Sequence, residues 1–123
     1  MIEKNCPIEK TMEYIGSKWT LIIIRDLFFG RKRFREFLSA NPALSTKVLS
    51  SKLKELETNK LIVKEITSKS PVIIEYKLTQ KGGALNKVLW EVAMYGVTNL
   101  KKEISNTSCS PEAIKYLRNK LEI

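Results

Sequence analysis

Lys47, Ser50, Ser51, Lys54 and Thr58 share one side of a helix expected from Ser45 to Asn59, since each residue advances by roughly 100° around the axis. Their chemistry is non-covalent. Ammonium groups attract phosphate, and short hydroxyls suit the edges of bases in a DNA groove. A merely solvated helix face has the same composition, so the helix alone leaves both readings open. Ser45 and Thr46 stand where they can cap that helix and donate to phosphate. Arg31, Lys32 and Arg33 form the densest basic cluster of the chain. Lys69 lies in an expected loop between two strands, within reach of a minor groove or its backbone. Two thiols, Cys6 and Cys109, are the other groups with chemistry of their own.

Other chemistries are poorly served. The chain has no histidine, which removes Ser-His and Cys-His nucleophile pairs and any histidine metal site. Two cysteines are too few for a disulfide scaffold or a thiolate zinc site. Gly82-Gly83 lacks the spacing of a phosphate loop, and nothing marks any pair of acids as catalytic. A non-enzyme without metal or cofactor is expected.

Charge distribution sharpens the choice of partner. Net charge is +9, and the segment from Lys18 to Lys81 holds 14 Lys/Arg against 6 Asp/Glu, a net of +8. Concentrating the excess there favours a polyanion engaged by that segment. The longest apolar runs, Leu21 to Ile24 and Leu27 to Phe29, fall far short of a membrane span. Met1 to Lys10 has no apolar core of a secretory signal, so a cytoplasmic protein is expected.

The elements that must position these groups follow from periodicity. Pro7 opens a short helix with Ile8, Met12 and Ile15 on one face, ending at Gly16 and placing Cys6 near its N-cap. Lys18 to Phe29 is apolar nearly all round and should be the hub of the core. Phe34, Phe37 and Leu38 mark a helix ending near Asn41-Pro42. The Ser45 to Asn59 helix, with Leu49, Leu53 and Leu56 as its inward stripe, completes helix-turn-helix grammar. A strand at Leu61 to Ile66, a loop at Thr67 to Pro71 and a strand at Val72 to Leu78 form a hairpin. Thr79 should then cap a long helix from Gln80 through about Leu100. That helix carries two apolar stripes, Leu85, Leu89, Val92 and Gly96, and Trp90, Met94 and Val97. A surface helix of a monomer needs one stripe, so the second suggests a partner, most economically another copy, the alternative being a helix fully enclosed in the core. Ser105 to Ser110 reads as a polar linker. A last helix opens at Pro111, with Ile114, Leu117 and Leu121 on one side. The expected fold is therefore mainly α with a small β-hairpin wing, a winged helix-turn-helix. Residues 1–104 would form the DNA-binding and dimerisation domain, and residues 105–123 a linker and terminal helix.

The order of motifs narrows the fold to a family. Cys6-Pro7 with Ile8-Glu9, Ile15-Gly16-Ser17-Lys18-Trp19-Thr20 and Gly30-Arg31-Lys32-Arg33-Phe34 closely resemble HxlR-type transcriptional regulators. So do Leu44-Ser45 with Lys47-Val48-Leu49, Leu53-Lys54-Glu55-Leu56-Glu57, and Glu75-Tyr76-Lys77-Leu78-Thr79 with Gly82. The resemblance spans Cys6 to about Gly96. It implies a dimeric winged-helix DNA-binding protein, related in fold to MarR-like regulators, whose first and last helices build the dimer. Ile8 and Met12, with Trp90, Met94 and Val97, are the dimer residues on that basis. It departs in two places. Lys60 stands where the family usually has glycine after the recognition helix, with Asn59 expected to supply the left-handed residue instead. Ser17 stands where a second glycine is common.

The resemblance also bears on Cys6, because some members sense oxidants or electrophiles through a cysteine before this proline. A helix N-terminus stabilises thiolate, and Lys4 and Lys10 flank Cys6, partly cancelled by Glu3 and Glu9. A small half-buried apolar residue is the alternative role. Cys109 is the candidate resolving thiol. The functional expectation is a sequence-specific regulator binding double-stranded DNA as a homodimer, with an oxidant or electrophile as possible effector. The alternatives are a non-specific architectural or RNA-binding module, and a winged helix that contacts only protein.

Overall fold

The computed structural model describes residues 6–123, so Glu3 and Lys4 lie outside the described residues. The chain forms two compact units, one ending at Gly82 and the other spanning Gly83–Ile123. The first holds α1 (Pro7–Ile15), α2 (Lys18–Phe28), α3 (Phe34–Ala40), α4 (Thr46–Thr58), and the antiparallel strands β1 (Ile62–Lys69) and β2 (Val72–Leu78); α5 (Gln80–Gly83) runs to the boundary. The second holds α6 (Asn86–Asn99), a 3-10 turn (Asn106–Cys109) and α7 (Pro111–Lys120).

The core of the first unit is built from the stripes that periodicity marks. Leu49, Leu53 and Leu56 of α4 are buried with Ile23 and Ile24 of α2, Phe37 of α3, and Leu44, Leu61 and Ile62. α2 packs against α3, α4 and β2, which makes it the hub. Deep burial of these side chains stabilises each by about 1.5–3 kcal/mol, enough to fix the orientation of the helix-turn-helix.

Helix ends follow local chemistry. Pro7 opens α1 with Cys6 at its N-cap. Ser45 caps α4, its hydroxyl accepting from the Val48 N–H at 3.1 Å. Beyond the other end, the Lys60 N–H donates to Glu57 O at 3.0 Å and the Leu61 N–H to Leu56 O at 2.9 Å. This is a Schellman closure, with buried Leu56 and Leu61 as its apolar pair. Its left-handed residue is Lys60, at φ 61°, not Asn59, whose φ is −81°. The two-bond closure places the turn one residue beyond the helix cap, and the lysine accepts the strain. Lys60→Gly is therefore expected to stabilise the protein by about 1 kcal/mol, read as a raised midpoint in urea or thermal unfolding. A fall in stability would mean that the Lys60 stem supplies more packing than its backbone loses.

Two expected boundaries move. β1 runs on to Lys69, and the hairpin turns at Ser70-Pro71 rather than through a five-residue loop. A bulge at Thr67, between the Ile66↔Ile74 and Ser68↔Ile73 pairs, absorbs the irregularity within the strand. The helix expected over Gln80 to Leu100 is two helices, broken at Ala84-Leu85. Gly82-Gly83 weakens it locally. Gly82 has a second constraint, since a β-carbon there would run into the backbone oxygen of Leu61. Thr79 caps α5 as expected, accepting from the Gly82 N–H at 3.0 Å while donating to Lys60 O at 2.7 Å.

In the second unit the terminal segment is not a loose appendage. Leu121 is fully buried, its carbonyl accepts from Asn86 Nδ2 at 2.9 Å, and the Arg118 guanidinium lies 5.0 Å from the centre of the Trp90 ring. The linker at Ser105 to Ser110 winds into the 3-10 turn, with Ser105 accepting from Ser108 N and Ser110 capping α7.

Candidate nucleic-acid interface

α3, the Asn41 to Ser45 connection and α4 form the helix-turn-helix, and the burial of α4 settles which side faces out. Thr46, Lys47, Ser50, Ser51, Lys54 and Thr58 are all exposed, opposite Leu49, Leu53 and Leu56. Ser45, also exposed, spends its oxygen on the cap and keeps its hydroxyl proton for another acceptor. Lys52 is drawn aside by Glu55 at 3.3 Å. Among the described residues, Lys47 and Lys54 make no ion pair, so the outward face carries two open ammonium groups between hydroxyls.

Every member of the basic cluster is paired. Arg31 Nη1 lies 3.0 Å from Oδ1 of Asp26, a carboxylate with no exposed surface. Lys32 Nζ and Arg33 Nε approach one oxygen of Glu75 on β2, at 3.5 and 3.4 Å. The loop is further held by its backbone. Lys32 O accepts from the Tyr76 N–H at 2.8 Å, and Glu36 Oε1 accepts the N–H groups of Lys32 and Arg33 at 3.0 and 2.9 Å. The loop and the wing thus form one assembly, with Tyr76 edge-on to Phe37 at 6.4 Å. Burial, and secondarily the charge of Glu57, push the Tyr76 hydroxyl above its ordinary pKa. Lys69 is exposed beside the hairpin turn.

The two backbone N–H groups, Lys32 first, hold the Glu36 carboxyl below its ordinary pKa of 4.5. A carboxylate favoured by the fold contributes stability that is full above the unfolded-state pKa and is lost as pH falls through the folded one. The stability difference between wild type and Glu36→Gln is therefore expected to be constant above pH 4.5 and to shrink only below it. Thermal melts across pH test this, and a difference that already closes near neutrality would assign the effect to another group.

Asp26, Asn41, Glu36 and Glu75 are the residues that sequence reasoning did not single out. Asn41 Nδ2 donates to Asp26 Oδ2 at 2.7 Å and to Phe37 O at 2.8 Å. The available signal was an acid set inside the most apolar helix of the chain, where only a paired carboxylate is tolerated.

The thiols lie on other elements. Cys6 is half-buried at the start of α1. No side-chain cap hydrogen bond closes there, yet the N–H groups of Glu9 and then Ile8 lower its pKa from the ordinary 9.0. Cys109 is half-buried at the end of the 3-10 turn. Of the dimer residues, Ile8 is 74% and Met12 52% exposed, whereas Trp90, Met94 and Val97 are half-buried. The exposed apolar side chains of α6 are Val88, Val92 and Tyr95, at 36, 54 and 63%. Among the described residues no cluster could hold a metal ion, and no helix is long and apolar enough to cross a membrane.

A helix-turn-helix followed by a two-stranded wing, with a basic and hydroxylic outer helix, defines a winged helix-turn-helix regulator. The HxlR-like helix-turn-helix family model matches residues 14–104, and the chain belongs to that family. It is 40% identical to the HTH-type transcriptional regulator YvaP of Bacillus subtilis over 91 residues, covering 73% of this chain and 84% of that protein. With YodB of the same organism, also an HTH-type transcriptional regulator, it shares 39% over 88 residues, 71% of this chain and 79% of YodB. The structure of reduced YodB superposes with a TM-score of 0.69 at 35% identity, covering 79% and 96% of the two chains. The redox regulator HypR in its oxidized form gives 0.71 at 33%, covering 76% and 97%. The protein is a transcriptional regulator of the DNA-binding helix-turn-helix type, not an enzyme.

Proposed function

We propose that the protein binds a near-palindromic operator as a homodimer, laying α4 of each subunit in successive major grooves. The observation that carries this is the outer face of α4, where Lys47 and Lys54 are open to solvent among Thr46, Ser50, Ser51 and Thr58. Ser45 and Thr46 at its N-terminus donate to phosphate, as do Arg31, Lys32 and Arg33, while Lys69 of the wing reaches the minor groove or its backbone. Half-sites lie about one helical turn, roughly 34 Å, apart or a small multiple of that. Subunits meet through the exposed apolar residues of the first and last long helices, Ile8 and Met12 of α1 and Val88, Val92 and Tyr95 of α6.

Thiol chemistry sets the affinity. Cys6 is the responsive group, since the N-terminus of α1 favours its thiolate, and among its structural relatives are a redox regulator and a diamide-treated form of YodB. With diamide, the Cys6 thiolate and a second thiol, for which Cys109 is the candidate, lose two electrons and one proton in forming a disulfide, and solvent supplies the second proton. Diamide takes them up and becomes the hydrazine. The bond changes the spacing of the two recognition helices.

One binding experiment tests both parts. Reduced protein is titrated against promoter DNA adjacent to its own gene and against random duplex, then again after diamide treatment. Lys47→Ala and Ser51→Ala are each expected to weaken promoter binding by about 1–3 kcal/mol at unchanged thermal stability. Diamide is expected to shift the affinity of wild type but not of Cys6→Ser. Equal affinity for the two duplexes favours a non-specific architectural role, and wild-type binding indifferent to diamide makes Cys6 structural.

A further inference from the structure

The ion pairs of the basic loop have a consequence for sequence discrimination. Lys32 and Arg33 are 54 and 39% exposed at the side chain, yet both lean on one oxygen of Glu75, a side chain only 17% exposed. Three charges in one cluster leave a net of one positive charge for an approaching strand. Glu75 presents what a DNA phosphate would present to the same cations, a fixed anionic oxygen at hydrogen-bonding distance from Arg33 Nε. Its mechanical part in the assembly is small, because the Tyr76 N–H to Lys32 O bond joins loop and wing without it, and Glu36, accepting from the Lys32 and Arg33 N–H groups, fixes the loop to α3. Nor does cross-strand pairing explain a carboxylate here, since its β1 partner is Glu65, a like charge that disfavours the pair.

We propose that Glu75 is a specificity-determining residue, an internal stand-in for a phosphate that occupies Lys32 and Arg33 and so suppresses binding to DNA of any sequence. This rests on the reading above that the loop faces the DNA backbone. Backbone contacts supply essentially all non-specific affinity and carry no sequence information directly. A counter-anion built into the loop therefore subtracts from binding to random DNA while leaving the α4 contacts to bases untouched.

Salt dependence tests it, because the slope of log affinity against log salt counts the phosphates neutralised. Full-length reduced protein is titrated with a labelled random duplex and with the promoter duplex between about 50 and 200 mM salt. Glu75→Gln preserves shape and an acceptor oxygen. It is expected to bind random duplex about five-fold tighter at the lower salt, to steepen the slope by about one, and to narrow the preference for promoter DNA. Glu75→Asp, which draws the carboxylate back by one methylene, is expected to move the slope the same way and provides the reading if the glutamine variant does not fold. An unchanged slope, or weaker binding with a lowered melting temperature, makes Glu75 a tether of the wing and overturns the proposal. The double variant Lys32→Ala/Arg33→Ala separates the two levels. A slope flattened by this variant but unmoved by Glu75→Gln defeats the Glu75 proposal alone. A slope unmoved by the double variant, with Lys47→Ala still weakening binding, removes the loop from the DNA face and overturns the proposal while α4 stands.

Discussion

Asp26→Ala is expected to destabilise the protein by about 3 kcal/mol, a fall in melting temperature on the order of 10 °C. The carboxylate has no exposed surface. Its Oδ1 accepts from Arg25 Nε at 3.1 Å, Arg25 Nη2 at 2.8 Å and Arg31 Nη1 at 3.0 Å, and its Oδ2 accepts from Asn41 Nδ2 at 2.7 Å. Hydrogen bonds to a charged group are each worth about 1.5–3 kcal/mol, and they do not add fully here. Both arginine side chains are 37% exposed and can turn to water when the acid is gone. Asn41 keeps its bond to Phe37 O. What remains is a cavity beside α2 and the loss of the side-chain tie from the start of the basic loop to the core, while the Arg31 N–H to residue 26 O bond stays in place. Arg31→Ala is expected to cost less, about 1–2 kcal/mol, since Asp26 retains Arg25 and Asn41. Urea unfolding of the two variants decides the matter. A loss below 1 kcal/mol for Asp26→Ala would show that the buried acid contributes nothing beyond the space it fills.

That network also marks where sequence reading stops. The inward stripe of α4, the caps at Ser45 and Thr79 and the order helix-turn-helix then hairpin are local patterns, each fixed by residues three or four apart. They were legible, and so was the outer face of α4, because a helix with one buried stripe has only one opposite side. Arg31, Lys32 and Arg33 were legible as a basic cluster but not as three paired cations. Their partners lie on α2 for one and on β2 for the others, and nothing local brings Glu75 to Arg33. Asparagine is the better left-handed former, so local propensity points to Asn59, while the two-bond closure onto Leu56 and Glu57 dictates Lys60. The break at Ala84-Leu85 is hidden from periodicity for a related reason. An apolar rhythm continues across it, and of the two glycines that weaken the helix there Gly82 also makes the close approach to Leu61.

Val92→Asp is expected to separate the dimer into monomers and to lower promoter affinity by about 100-fold, because each subunit then holds only one half-site. α6 is apolar around most of its circumference, so periodicity offers several stripes and cannot choose among them. Exposure can. Trp90 is half-buried with Arg118 of α7 over its ring, Gly96 is buried with Ile104 3.1 Å from where its β-carbon would stand, and Val88, Val92 and Tyr95 stay open at i, i+4 and i+7. Lys87 and Glu91 line the same shallow surface as those three residues. A stripe bordered by one cation and one acid can meet a copy of itself across a two-fold axis without a ring of like charge. Trp90→Asp, by contrast, is expected to act first on the unit that contains it, lowering its melting temperature by uncovering what α7 closes. Sedimentation velocity and a promoter titration, run on both variants, separate the two roles. If Val92→Asp sediments as a dimer, the partner surface is not on this stripe, and Ile8 and Met12 of α1 become the residues to replace next.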